Sequence, residues 1–202
     1  MTFFANLKQP FLEIPEDGRI ATNTFVDAIK STLHVLDLLG PGAFQKIKSK
    51  ATDNATKLEK RYETDKEKYA TLQSIIETEK EEGKEKEKDS LTLSLLMLKR
   101  ISTFIQAIFE EVLTMHPHLG ESVSKAYERT IKQYHGWLIQ KAFGLALRGV
   151  VAREKFMTAL GNGASEDDVL KEMKVHSELM GKNVTVIHEF YDKMGIDQHG
   201  KV

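Results

Sequence analysis

Leu91-Thr-Leu-Ser-Leu-Leu-Met97-Leu-Lys-Arg100-Ile-Ser-Thr-Phe104-Ile-Gln-Ala-Ile-Phe109-Glu-Glu-Val112 is the stretch on which the fold turns. Leu91, Leu95, Leu98, Ile101, Ile105, Phe109 and Val112 recur at spacings of three and four, the period of an α-helix. Leu93, Phe104 and Ile108 lie off that stripe, so apolar side chains cover more of the circumference than a surface helix shows. A helix opened by Asp89 or Ser90 and reaching about Met115 is therefore expected at the centre of the molecule, and as its longest element. Its greasiest part, Leu91 to Leu98, is broken by Thr92 and Ser94 and falls short of the roughly 18 apolar residues of a membrane span.

Helical period continues on both sides. Upstream, Thr22, Asn23 or Thr24 can cap a helix carrying Phe25, Ala28, Ile29, Leu33 and Leu36 on one face, stopped by Gly40-Pro41-Gly42. A second helix is expected from about Ala43 to Tyr62 and a third from Lys66 through Glu82. Glu77 to Lys88 mixes both charge signs around Gly83 and reads as a solvated helix end and loop. Downstream, His116-Pro117-His118 breaks the chain before a helix from Glu121 to Arg148. Shorter helices fit Ala152–Leu160, Glu166–Ser177 and Leu179–Met194, with a weak break at Gly181. Ser165-Glu-Asp-Asp168 has the acidic first turn of a helix start. Residues 1–21, with Pro10, Pro15 and Gly18, read as an irregular lead into one all-α domain over 22–202.

Composition narrows the function. Lysine and arginine number 29 against 30 acids, so no field favours nucleic acid. Cysteine is absent, which excludes disulfides, thiolate nucleophiles and cysteine zinc sites together. The start, Met1 to Pro10, lacks a secretory signal, so a cytoplasmic protein is expected and the sequons at Asn54 and Asn183 read as chance. None of the seven histidines has a glutamate three residues before it, and no zinc-protease motif, P-loop or nucleophile elbow occurs. His116 and His118 sit on a proline-broken turn and read as loop. No enzyme, metal or cofactor is expected.

Two clusters carry chemistry. Lys50, Asp53, Asn54 and Lys57 are spaced i, i+3, i+4, i+7 on one helical face, with Lys60 and Arg61 beyond. A carboxylate, an amide and ammonium groups can serve several hydroxyls at once, as a sugar headgroup demands. A solvated face with an Asp53–Lys57 ion pair fits the same spacing. The second cluster is Tyr134-His135-Gly136-Trp137-Leu-Ile-Gln-Lys141, with the only tryptophan two residues after a histidine. Indole suits a boundary that is apolar on one side and wet on the other. A buried core indole and a structural histidine are the plainer alternatives.

Taken with Phe44-Gln-Lys-Ile-Lys48, Asp53-Asn54-Ala-Thr-Lys57-Leu58, Leu96-Met97-Leu98-Lys99-Arg100 and Lys125-Ala-Tyr127, these segments resemble the glycolipid transfer protein family. The likeness runs from about Phe25 to the terminal Lys201-Val202. It implies a two-layer helical sandwich of about eight helices around an apolar lipid tunnel, in a monomer that carries sphingolipid between membranes without catalysis. The resemblance places the headgroup at Asn54 and Lys57, beside Lys50, Asp53 and Met97, and the ceramide amide at His135. It places acyl chains against Leu36, Leu93, Phe104, Phe143 and Phe156, and Trp137 and Lys141 at the membrane surface in transient contact. Two positions depart from the glycolipid pattern: Lys50 stands where an aspartate is expected and Met97 where a tryptophan is expected. Lysine there favours an anionic headgroup, sulfated or phosphorylated. A lipid sensor acting through a partner protein is the alternative to a carrier.

Overall fold

A computed structural model describes residues 1–40, 42–196 and 200; Pro41 of the expected helix stop and the terminal Lys201-Val202 lie outside them. Among the described residues the chain forms nine α-helices: α1 (Thr22–Thr32), α2 (Val35–Leu39), α3 (Gln45–Thr64), α4 (Leu72–Glu81), α5 (Leu91–Leu113), α6 (Leu119–Arg129), α7 (Trp137–Leu147), α8 (Arg153–Gly161) and α9 (Glu166–Met194). The architecture is an all-α, two-layer helical sandwich. Helix α5 packs against α3, α4, α6 and α9, while α1 lies on α3 and α8 on α9. The central position follows from its sequence, since Leu95, Leu98, Phe104, Ile105, Ile108, Phe109 and Val112 are all buried. It is also the one described helix long and apolar enough to cross a membrane, and most of it is buried inside the fold.

The start of α5 is built twice over. Ser90 Oγ accepts from Leu93 N at 3.0 Å, the expected cap. Glu79 adds a carboxylate that accepts from Leu91 N at 2.6 Å and Thr92 N at 2.8 Å. An anion at a helix N-terminus meets unsatisfied N–H groups and the positive end of the dipole. Glu79 is therefore buried, although the mixed-charge run around it reads as solvated.

Several boundaries differ from the sequence expectation. The first helix is interrupted after Thr32, because Ser31 Oγ and Thr32 Oγ1 donate to Asp27 O and Ala28 O four residues back, a habit that bends helices. Its cap is Ala21, with no side-chain bond. Thr22 instead anchors the helix start to Ala70 O and Tyr69 O. The third helix starts at Leu72 rather than Lys66, fixed by a reciprocal Thr71–Ser74 capping box. The helix expected over Glu121 to Arg148 is two helices joined by a 3-10 turn at Lys132–Tyr134. Thr130 turns its hydroxyl onto Ala126 O, His135 is extended, and Gln140 Nε2 donates to His135 O at 2.9 Å.

The last two expected helices are one. At 29 residues α9 exceeds the 23 of α5. Ser165 caps it by accepting from Asp168 N. Gly181 does not break it; a Cβ there would lie 2.5 Å from Nε2 at the far end of the Gln106 side chain, which would have to swing aside. The first 21 residues form no helix, yet Phe4, Phe11 and Ile20 join the same core and Phe3 N donates to Leu160 O.

Candidate functional site

On α3 the expected polar face is split by depth. Lys50 and Asp53 are exposed and Lys57 is half-buried, whereas Asn54 is 7% exposed. The Asn54 Nδ2 group is buried without a hydrogen-bond partner. A buried amide donor left unmade costs about 1–3 kcal/mol, so the position is one that a ligand acceptor would relieve. Lys57 does not pair with Asp53; its Nζ reaches Asp89 Oδ1 at 3.2 Å, across to the turn before α5. Met97, on α5, is half-buried. Lys50 makes no ion pair among the described residues.

His135 sits at the extended junction between the 3-10 turn and α7, with Tyr127 Oη 3.1 Å from its Nδ1. Burial raises the Tyr127 pKa, keeping the phenol protonated as donor. Burial first, and then the charge of Arg100, push the His135 pKa down, so the ring is neutral. In the tautomer whose Nδ1 accepts from tyrosine, Nε2 carries the proton and is available as a donor. Tyr127 is itself stacked on Phe143, with ring centroids 3.6 Å apart and planes 8° from parallel. Phe143 meets Phe104 and Phe44, each at 5.8 Å. One aromatic cluster thus ties the histidine to α3, α5, α6 and α7.

Of the five expected chain-lining residues, Leu36, Phe104, Phe143 and Phe156 are fully packed in the core and Leu93 is half-buried. Among them, Phe104 and Phe143 meet edge to face, and all five belong to or pack against the one buried core. Neither a cavity of about 70 Å³ beneath Phe11 and Ile20 nor one of about 280 Å³ beside Lys99 and Tyr134 is lined by any of them.

Helix α7 is turned the other way. Trp137 is 63% exposed, so the buried-indole alternative does not hold. Leu138, Ile139 and Leu145 are also exposed, and Phe143 is the only buried residue of the helix. Lys141 Nζ lies 4.5 Å above the indole ring, a cation–π contact at the apolar margin. The three exposed aliphatic residues and the Tyr127 contact are additions to the sequence reading. Their signal was present: between residues 137 and 147 apolar residues occupy more faces than one interface can bury. Tyr127 stands eight positions before the histidine, about 12 Å along a continuous helix, so their contact depends on the turn between them.

Comparison with known proteins bears on the whole arrangement. A family profile described as glycolipid transfer protein (GLTP) matches residues 20–162. The chain is 35% identical to a zebrafish (Danio rerio) glycolipid transfer protein, over 97% of its own length and 98% of that protein. It is 31% identical to human pleckstrin homology domain-containing family A member 8, spanning 97% of this chain and 40% of that longer protein. Among solved structures it is similar to a chain from work on how FAPP2 selects simple glycosphingolipids using the GLTP fold. That match has a TM-score of 0.93 at 29% identity and covers 100% of both chains.

Proposed function

Because the chain belongs to the glycolipid transfer protein family, we propose that it is a non-enzymatic carrier that moves a sphingolipid, a glycosphingolipid foremost, between membranes. The observation that carries this reading is the buried Asn54 amide whose Nδ2 has no protein acceptor, on the face that also holds Lys57. A sugar hydroxyl supplies the missing acceptor and can in turn donate to Asp53. Lys50 and Met97 border the same headgroup.

At the ceramide end, His135 Nε2–H donates to the amide carbonyl, with Tyr127 fixing the ring through Nδ1. The chains enter the core to which Leu36, Phe104, Phe143 and Phe156 belong and against which Leu93 packs. Filling that space requires Phe143 to leave its contacts with Tyr127 and Phe104, which couples chain entry to movement of α7. Exposing lipid chains to water costs about 0.8 kcal/mol per CH₂, on the order of 20 kcal/mol for two long chains. An apolar interior that opens at a membrane and closes in water removes most of that barrier, and no bond has to be made or broken. Trp137, Leu138 and Leu145 supply the apolar contact for transient docking, with Lys141 among the headgroups. The protein acts as a cytoplasmic monomer in this scheme.

One observation favours a second reading. Lys50 is an exposed cation on the headgroup face, which suits a sulfated or phosphorylated headgroup better than a neutral sugar. Transfer from donor to acceptor vesicles, run with neutral, sulfated and phosphorylated sphingolipids, tests both. Movement of the neutral glycolipid supports the first, and preferential movement of an anionic lipid supports the second. Stable binding without transfer would replace the carrier with a sensor.

A further inference from the structure

Lys50, Asp53 and Lys57 stand on α3, but a further charged side chain reaches their face from elsewhere in the fold. Asp89 belongs to the turn that leads into α5. Its Oδ1 accepts from Lys57 Nζ at 3.2 Å, with the carboxylate side chain 88% exposed and the lysine side chain 41% exposed. Among the described residues this is the polar contact of the Asp89 side chain, so Oδ2 stays open to water. An exposed pair of this kind adds little to the fold, because water screens it and both side chains lose freedom in making it. Its place is what matters. Lys57 lies one helical turn from Asn54, whose buried Nδ2 lacks an acceptor. Asp89 therefore brings a carboxylate from a second element to the group that meets Lys57.

We propose that Asp89 selects the headgroup at this site, admitting a neutral sugar and disfavouring a sulfated or phosphorylated one; the inference rests on the sphingolipid-carrier reading above. A sugar hydroxyl has one hydrogen to give and two lone pairs, so it can accept from Lys57 while donating to Asp89. Lys57 Nζ retains two N–H groups beyond the one that Asp89 accepts. A sulfate or phosphate dianion has no hydrogen to give and carries negative charge up to the carboxylate. It must displace Asp89 from Lys57 or lie beside it, and both lower its affinity. Lys50 and Lys57 are matched in charge by Asp53 and Asp89, so these four together present no net charge to a headgroup. Asp89 also positions Lys57, since the pair draws the ammonium across to the α5 side instead of back to Asp53. Without the Asp89 charge, Lys57 loses its counter-ion and the balance turns positive.

The test compares full-length wild type, Asp89→Asn, Asp89→Lys and Asp89→Glu in transfer of galactosylceramide and of its sulfated derivative between phosphatidylcholine vesicles. Glu178→Gln, at an exposed position of α9, measures the effect of net charge alone. Wild type should move the neutral lipid faster. Asp89→Asn should raise the ratio of sulfated to neutral transfer about threefold, the scale of one exposed charge pair. Asp89→Lys should raise it further, Asp89→Glu should restore the wild-type ratio, and Glu178→Gln should leave it unchanged. Helical circular dichroism should be the same throughout, as the side chain is exposed. An unchanged ratio in both Asp89→Asn and Asp89→Lys, whether or not both rates fall, overturns the inference and leaves the carrier standing. So does a wild type that already prefers the sulfated lipid, or an equal rise in Glu178→Gln. Movement of neither lipid by wild type would remove the glycolipid carrier itself, and this selection with it.

Discussion

Two histidines show how the same side chain takes different roles from its surroundings. His135 is held by Tyr127 at a junction between helices, with its pKa lowered so that the ring is neutral. His135→Ala should lower sphingolipid transfer about tenfold, the worth of one hydrogen bond to a buried amide, with helical circular dichroism unchanged. Unaltered transfer would remove it from the site. His176 is 4% exposed, packed among Phe4, Phe11 and Phe109, with Nε2 3.1 Å from Thr32 Oγ1. Burial pushes its pKa from the ordinary 6.5 down to about 4. The unfolded chain takes up that proton first, so stability falls as pH drops from about 6.5 towards 4, by up to about 3 kcal/mol. Urea unfolding at several pH values should show this loss in the wild type and a flatter profile in His176→Gln. Parallel profiles would assign the acid sensitivity elsewhere. The Tyr134-His135-Gly136-Trp137 run singles out His135 in the sequence, whereas the burial of His176 arises only from the aromatic rings that meet over it.

Helices divide into those whose sequence declares their surroundings and those that depend on distant contacts. The central place of α5 is readable from its apolar coverage, and Ser90 from its position before that run. Glu79 is not readable, because its value comes from lying over a helix start 12 residues away. Glu79→Gln should destabilise the fold by about 1–2 kcal/mol, since an amide accepts the two N–H groups less strongly than a carboxylate. Thermal unfolding checks this, and a loss no larger than that of an exposed glutamate would contradict it. The break between α6 and α7 escapes a periodicity reading because the apolar spacing continues through it while the hydrogen bonds of Thr130 and Gln140 end one helix and begin the next. Gly181 fails as a helix stop for the converse reason: a single interior glycine costs about 1 kcal/mol, and the buried Met180, Val184 and Ile187 around it outweigh that. For α7, Trp137→Ala together with Leu138→Ala should leave thermal stability within about 0.5 kcal/mol, as expected of exposed positions, and sharply reduce vesicle binding. Retained binding would move the membrane contact off this helix.

At the level of the whole molecule, the all-α architecture was legible because helical periodicity runs through nearly every segment with helix starts and stops between. The polar face of α3 was legible as a set of residues but not in depth: spacing cannot say that Asn54 is buried with its amide unmet while Lys50 and Asp53 stay in water. Nor does it say that Lys57 turns to Asp89 instead of Asp53. The interior expected to take acyl chains is filled by buried side chains that include Phe104 and Phe143, so the chain entry proposed above needs them to rearrange. Donor-to-acceptor vesicle transfer of a fluorescent glycosphingolipid decides whether this machinery moves lipid. With protein far below the lipid concentration, each molecule should deliver many lipids, and His135→Ala should slow delivery. No movement of neutral, sulfated or phosphorylated sphingolipid above the protein-free rate would contradict a carrier.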